Sequence, residues 1–214
     1  MIAELLCGEL ARTAGLPVPE IVFVELDAEL ARTEPDAEIQ DLIRASAGLN
    51  IALDYLPGSV TFDALAEQPA ADLASRIVWF DAFVTNIDRT PRNANLLMWH
   101  RQLWLIDHGA ALYFHHQWEG FMERAASPFT PIKDHVLLPF ATELPAVDAA
   151  MAAHFTPERV AAIVALIPDS WLPAEAGFAM PQAQREAYAQ YFARRLQAPR
   201  AFAEEAARAH AAHV

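Results

Sequence analysis

The chain has 214 residues, which suits one large domain or two small lobes. Apolar residues make up 54% of it, so a sizeable core can be buried. A formal net charge of −13 argues against a polyanionic partner, whether nucleic acid or an anionic membrane surface. A Mg-nucleotide stays compatible, because the metal screens its phosphates locally.

Ile2 to Ala14 predicts an amphipathic helix, with Ile2, Leu5, Leu6 and Leu10 on one face. Gly15 ends it, and Pro17 and Pro19 prevent a restart. Glu4 and Glu9 interrupt the apolar run and no basic leader is present, so the segment does not read as a signal peptide. Cys7 is the only cysteine, which rules out an intrachain disulfide and fits a reducing cytoplasm. Ile21 to Leu26 is a predicted β-branched strand. Asp27 to Gly48 is expected to be loop with a short helix. Asn50 to Leu56 is a second predicted strand, closed by Pro57-Gly58.

Helical patterning dominates beyond Pro57-Gly58. Thr61 to Glu67 is a short helix candidate. Ala70 to Val84 is a strong one, with Leu73, Ile77, Phe80 and Val84 at helical spacing and Val78, Trp79 and Phe83 widening its apolar face. It runs directly into Asn86-Ile87-Asp88-Arg89-Thr90-Pro91-Arg92-Asn93. Asn95–Trp99 and Leu103–Ile106 form a predicted hairpin, capped by Asp107-His108-Gly109. Tyr113 to Pro139 is irregular, with Trp118, Phe121 and Phe129 expected to pack locally. Pro157 to Ile167 is a helix with Thr156 as its N-cap. Pro181 to Ala212 is a long helix with a candidate break at Pro199, and Arg194, Arg195, Arg200 and Arg208 are expected on its solvated face. No uninterrupted apolar stretch reaches the roughly 18 residues of a membrane-spanning helix.

The chemistry concentrates in the loop and the turn after the hairpin. Asp88 and Asn93 lie five positions apart on one loop, and a hairpin returns the chain so that Asp107 lies near Asn93. Read alone, Asp88 and Asn93 also fit an ordinary Asx-rich turn. A buried helix before the loop and an acidic turn after the hairpin favour phosphoryl transfer to a hydroxyl. In that reading Asp88 is the catalytic base, and Asn93 and Asp107 hold Mg²⁺ through oxygen ligands. Arg89 either clamps a phosphate or fixes the loop beside Asp88. Asn95 and His108 are further polar groups near the site. The strand end Asp54, Tyr55 and Leu56 would bind the adenine edge through its backbone, or is an ordinary strand terminus. Adjacent His115 and His116 point to opposite faces of an extended chain and make a poor zinc site.

The stretch DAFVTNIDRTPRNANLLMWHRQLWLIDHGAAL at 81 to 112, with GLPVPE at 15 to 20 and DYLPG at 54 to 58, resembles the HipA-like kinase family, particularly its compact bacterial members. The resemblance covers Glu4 to about Pro139, and the Asp88 to Asn93 arrangement is also similar to the phosphatidylinositol 3- and 4-kinases. It implies an α+β, protein-kinase-like fold: a partial, truncated N-lobe with few strands over 1–56, and a mainly α-helical C-lobe over 57–214. It further implies ATP and Mg²⁺ as cofactors and a hydroxyl acceptor, with a protein serine as the family's suggestion. Kinases of this type carry a glycine-rich hairpin and a lysine strand for the phosphates. Here Lys133 is the sole lysine, and Glu4 or Glu9 is the candidate for the helix carboxylate that would pair with the missing one. The expectation is an upstream start, with Met1 internal. A second chain supplying the missing part, or a degenerate relative, are the other two explanations. The 214 residues alone are then expected to bind ATP poorly and turn over little. Two rival functions are a non-catalytic pseudokinase-type binding module and a metal-dependent hydrolase using Asp88, Asn93, Asp107 and His108.

Overall fold

The computed structural model describes residues 1–172 and 177–213. The fold is mixed α/β, mostly helical, with its few strands in two small sheets. α1 (Ile2–Thr13) buries Leu5, Leu6 and Leu10 as its periodicity predicts. β1 (Ile21–Leu26) pairs antiparallel with β2 (Gly48–Leu53), in the register Ile21 with Leu53 and Leu26 with Gly48. Gly8 of α1 leaves room for the Ile21 side chain, which occupies the space a Cβ would need. Between the two strands, a short 3-10 turn precedes α2 (Ala37–Ala45), whose Asp36 caps its first turn and which buries no residue.

β2 ends at Leu53, earlier than the predicted limit at Leu56. Asp54 to Leu56 therefore form the connection that follows the strand. The helix expected over Thr61 to Glu67 does not form either. Val60–Thr61 is instead a two-residue strand, β3, which pairs with Met98 and Leu97. Long-range pairing overrides the local helical pattern there. β3, β4 (Leu96–Trp99) and β5 (Gln102–Leu105) make the second sheet, in that order. The β4–β5 turn has two central residues, His100 and Arg101, both at positive φ (48° and 63°). That is the backbone of a type I′ hairpin, whose twist matches its strands.

α3 (Ala71–Val84) is the axis of the core. Ile77 to Val84 are all buried. Trp79 packs on Phe83, Phe155 and Phe202 with ring centroids 5.5, 6.2 and 5.0 Å away. Its indole N–H donates to Asp148 at 2.8 Å. The remaining helices are α4 (Phe121–Ala125), α5 (Leu144–Ala153), α6 (Pro157–Val164), α7 (Pro181–Arg195) and α8 (Ala201–His213); α5 and α8 pack on α3, and α4 and α6 pack on α7. α5 is not among the predicted elements. Thr156 caps α6 as expected, its hydroxyl accepting from the Arg159 N–H at 3.3 Å. Trp118 and Phe121 pack on each other with ring centroids 5.5 Å apart, and Trp118 packs on Tyr188 at 4.9 Å.

The last long helix is two helices, separated around Pro199. The solvated arginine face needs correcting. Arg195 is buried and donates to the carbonyls of Ala82 and Phe83 at 2.6 Å, and of Ala125 and Ser127 at 3.2 Å. Arg200 pairs with Asp148 at 2.5 Å. Among the described residues no helix is long and apolar enough to cross a membrane.

Candidate functional site

The site is built on the C-terminal end of α3. Thr85 ends that helix in a left-handed conformation (φ 56°) and turns the chain outward. Asn86 is buried and its Nδ2 donates to Asp81 at 3.1 Å, while its Oδ1 accepts the Asp88 N–H at 3.1 Å. Arg89 is 1% exposed and its Nε donates to Asp81 at 2.6 Å. Its Nη1 bonds the carbonyl of Asn95, and that of Ile106 at 3.3 Å. The guanidinium therefore binds the loop to α3 and to both ends of the hairpin. Of the two roles open to Arg89 in the sequence, this geometry matches loop fixation.

Asp81 lies at the centre of this scaffold and was not a predicted site residue. Burial alone would raise its carboxyl pKa. Arg89 and His135 outweigh that and hold it well below the usual carboxylate range. His135 is also buried, and burial pushes its imidazole down despite the Asp81 carboxylate. Its Nδ1 accepts the Leu137 N–H at 3.0 Å, so the neutral ring carries its proton on Nε2 and donates it to Asp81 at 2.8 Å. The detectable signal is a single carboxylate within the apolar run Ile77 to Val84, since such a group requires a partner.

Asp88 is half-buried and its Oδ2 accepts from Asn93 Nδ2 at 2.7 Å and Asn95 Nδ2 at 3.2 Å. Asn95 also pairs through its carbonyl with the Ile106 N–H at 3.1 Å. The hairpin thereby brings Asp107, the next residue, back to the catalytic-loop candidate. Asp107 is exposed and left-handed (φ 52°), and its Oδ1 accepts the Gly109 N–H at 3.2 Å. Asp and Asn tolerate this conformation better than other side chains, which suits both Asn95 (φ 48°) and Asp107. Thr85 and Leu112 (φ 54°) are less suited to it and store strain at the edge of the same site.

The donor set fits a hard cation. Asn93 commits its amide N–H₂ to Asp88, which leaves its Oδ1 as an acceptor. Asp107 keeps Oδ2. Among the described residues no group of three or more His, Cys, Asp and Glu side chains converges on a metal-sized space. One amide and one carboxylate suit an ion that retains waters and phosphate oxygens, as Mg²⁺ does.

α1 supports the turn from behind. Glu4 accepts the His108 N–H at 2.5 Å, and its other oxygen lies 3.4 Å from His108 Nδ1. Burial would raise the Glu4 carboxyl, but these His108 bonds bring it below its ordinary value. Glu9 instead pairs with Arg12 at 2.7 Å. Farther away, the Asp54 N–H is committed to the Glu20 carbonyl at 2.8 Å. Tyr55 is 81% exposed and Leu56 is buried. Among the described residues the Tyr55 and Leu56 N–H groups bond no backbone carbonyl. A cavity of about 670 Å³ opens beside the loop, lined by Thr85, Ile87, Tyr113, His116, Arg124 and Tyr191 among others.

The family model of the HipA-like kinases matches residues 1–202. The chain belongs to the HipA-like kinase family. The match takes in both sheets, the Asp88 loop and α7, well beyond the stretch that carries the resemblance in the sequence. No curated protein and no solved structure matches the chain. Membership implies, in general terms, a nucleotide, a divalent cation and an acceptor substrate.

Proposed function

We propose that this HipA-like kinase transfers the terminal phosphoryl group of ATP to a hydroxyl, with Asp88, Asn93 and Asp107 as the working groups and with turnover by the 214 residues alone low. The observation that carries the reading is the Asn95–Ile106 backbone pair, which sets the Asp107 turn beside an Asp88 already held by two amides. Mg²⁺ held by Asn93 and Asp107 would neutralise charge on the phosphates. Asp88 has Oδ2 occupied by Asn93 and Asn95, which leaves Oδ1 to orient the acceptor hydroxyl and take its proton. Arg89 keeps that carboxylate in place through Asp81 and the hairpin carbonyls. Residues 1–56 would act as the partial N-lobe and 57–214 as the C-lobe. The connection at Asp54 to Leu56 would present its carbonyls and the Tyr55 and Leu56 N–H groups to the adenine edge. The cavity beside Ile87 offers the acceptor its place.

Titration calorimetry with ATP, in the presence and absence of Mg²⁺, tests the site. Mg²⁺-dependent heat that disappears in Asp107→Asn supports the reading. Heat that ignores both the metal and the substitution sinks it, and no heat at all favours the non-catalytic binding module. Transfer of label from γ-labelled ATP to a supplied acceptor should fall about 10²–10⁴-fold in Asp88→Asn.

A further inference from the structure

The cavity beside Ile87 lies against a segment that leaves the Asp107 turn and returns to the Asp88 loop. At one end the Leu112 N–H donates to the Val84 carbonyl at 2.9 Å, and at the other the Val136 N–H donates to the Arg89 carbonyl at 3.0 Å. Residues between 113 and 131 line the cavity, together with Tyr191 and Arg195 of α7. Phe114 stacks on Tyr191 with ring centroids 3.7 Å apart, and Phe129 is also in the wall. The lining is thus mostly aromatic and apolar, and a volume of about 670 Å³ suits a site that encloses a large ligand group.

Its charge is unlike that of the whole chain. The net charge is −13, yet among the described residues no Asp or Glu lines the cavity. Arg124 and Arg195 do, and their hydrogen bonds go to carbonyls. Arg124 donates to those of Gln117 and of Glu119, the latter at 2.6 Å, and Arg195 to those of Ala82, Phe83, Ala125 and Ser127. A carbonyl satisfies a donor without cancelling its charge, so two uncompensated guanidinium charges stand at a mostly apolar wall. At the mouth, Ile87 and Tyr113 are 46% and 65% exposed. A small molecule held inside the cavity has no use for an exposed apolar rim, whereas a polypeptide crossing the mouth covers it.

We infer that this cavity selects the acceptor as a polypeptide, taking an aromatic side chain that lies within one or two residues of the acceptor hydroxyl and is followed by a carboxylate that meets Arg124. The inference rests on the phosphotransfer reading for the hydroxyl's place at Asp88, the neighbour of Ile87. Successive Cα atoms are about 3.8 Å apart, so a residue seated in the cavity leaves the next one or two within reach of the Asp88 loop. The ring gains from leaving water and from contact with Phe114, Phe129 and Tyr191. The carboxylate supplies the counter-charge that Arg124 lacks. Repulsion from the rest of the acidic chain acts over longer distances and is largely screened at about 0.15 M salt.

The probe is a blocked heptapeptide with serine, phenylalanine and glutamate in succession at its centre and alanine elsewhere. It is compared with a peptide carrying alanine for the phenylalanine, one carrying lysine for the glutamate, and N-acetylphenylalanine amide. Binding and amide hydrogen exchange are measured on the full chain without nucleotide, which separates the result from calorimetry with ATP and Mg²⁺. The parent peptide should bind about tenfold or more tighter than the alanine peptide. It should bind several-fold tighter than the lysine peptide, by a margin that shrinks as salt rises, and should protect amides within residues 113–131. Ile87→Ser changes an exposed side chain and should weaken the parent peptide about threefold or more. Arg124→Gln should erase the preference for glutamate over lysine, and Arg124→Lys should retain it. Equal affinity for the phenylalanine and alanine peptides, no binding of any peptide, protection away from residues 113–131, or a glutamate preference unchanged in Arg124→Gln overturns the inference. So does N-acetylphenylalanine amide binding as tightly as the parent peptide, since a small molecule would then be the occupant. Peptide selectivity that survives where Mg²⁺-dependent ATP heat is absent strikes the phosphotransfer reading and leaves the recognition standing, and the reverse pattern strikes this inference alone.

Discussion

At the scale of single residues, the site depends on one buried ion pair. Asp81 and Arg89 have side chains with no exposed surface, and His135 completes the group at 2%. Taking both charges out of water is costly, so the pair is weak evidence of net stability, but removing one partner leaves the other charge buried and uncompensated. Asp81→Asn should therefore cost about 3–5 kcal/mol, read from the shift in a urea unfolding midpoint. A loss under about 1 kcal/mol would show that water relaxes into the space and that Arg89 does not depend on Asp81. Asp107 presents the opposite case. It is exposed and left-handed, and asparagine tolerates that backbone as well as aspartate does. Asp107→Asn should leave the unfolding midpoint within about 0.5 kcal/mol of the parent chain while removing the charge proposed to hold Mg²⁺. The meeting of the Asp88 loop with the turn after the hairpin was legible in the sequence, because two short apolar strands return the chain to its start; the roles of Asp88, Asn93 and Asp107 belong to the proposal. Asp81 and His135 lie 54 positions apart, and no local pattern connects them.

At the scale of elements, α3 has to end where the catalytic-loop candidate begins. The last carbonyls of a helix have no partner inside it. Here the Arg195 fork from α7 supplies one, with Nε on Phe83 and Nη2 on Ala82, both at 2.6 Å. The same guanidinium lies 4.7 Å from the centre of the Phe202 ring of α8. One side chain therefore fixes the end of α3, the turn after α4 and the first turn of α8. Lysine has the charge but not the planar fork, so it cannot serve four carbonyls at once. Arg195→Lys should lose about 2–4 kcal/mol, and Arg195→Met should lose at least as much, because unpaired buried carbonyls remain. If Arg195→Lys melts with the parent chain, the fork is not what ends α3. α7 reads as amphipathic with exposed arginines in the sequence. Only the arrival of α3 beneath it shows that Arg195 faces inward. α3 itself and the β4–β5 hairpin were legible, since their apolar spacing and local turn chemistry are strong. β3 was not, because two residues carry no period and their partners are Leu97 and Met98. α5 left a trace in Leu144, Val147 and Met151, which share its buried face at helical spacing amid alanines that give no contrast.

At the scale of the whole molecule, one buried imidazole and one half-buried imidazole set how stability follows pH. His135 is held neutral by burial. His115 is pushed down to about 4, by burial first and then by His116 and the N-terminal charge, and its Nδ1 lies 3.0 Å from the Tyr188 hydroxyl. Burial also raises the Tyr188 phenol, so that hydroxyl donates and the imidazole accepts. Both folded pKa values lie below the unfolded value near 6.5, so the unfolded chain binds more protons as pH falls below about 6.5. Stability is thus complete above that pH and declines toward pH 4. Each group contributes at most about 1.4 kcal/mol per pH unit, and His115 less than His135 because part of it meets solvent. Below the ordinary carboxylate range, Asp81 and Glu4 add loss of the same sign, since their folded pKa values are depressed. The net charge of −13 works in the other direction, because acidification relieves repulsion among surface carboxylates. That repulsion acts between exposed charges and is largely screened at about 0.15 M salt, whereas these imidazoles are not. The buried term should therefore win, and urea unfolding at 0.15 M salt should give a free energy that falls steadily from pH 7 to pH 4.5. His115→Gln keeps an acceptor for Tyr188 and removes one titrating group, so the slope should flatten in that variant. A free energy that stays level or rises over this range would mean that His115 and His135 reach water in the folded chain, and that the packing of His135 around Asp81 and Arg89 is looser than its hydrogen bonds imply.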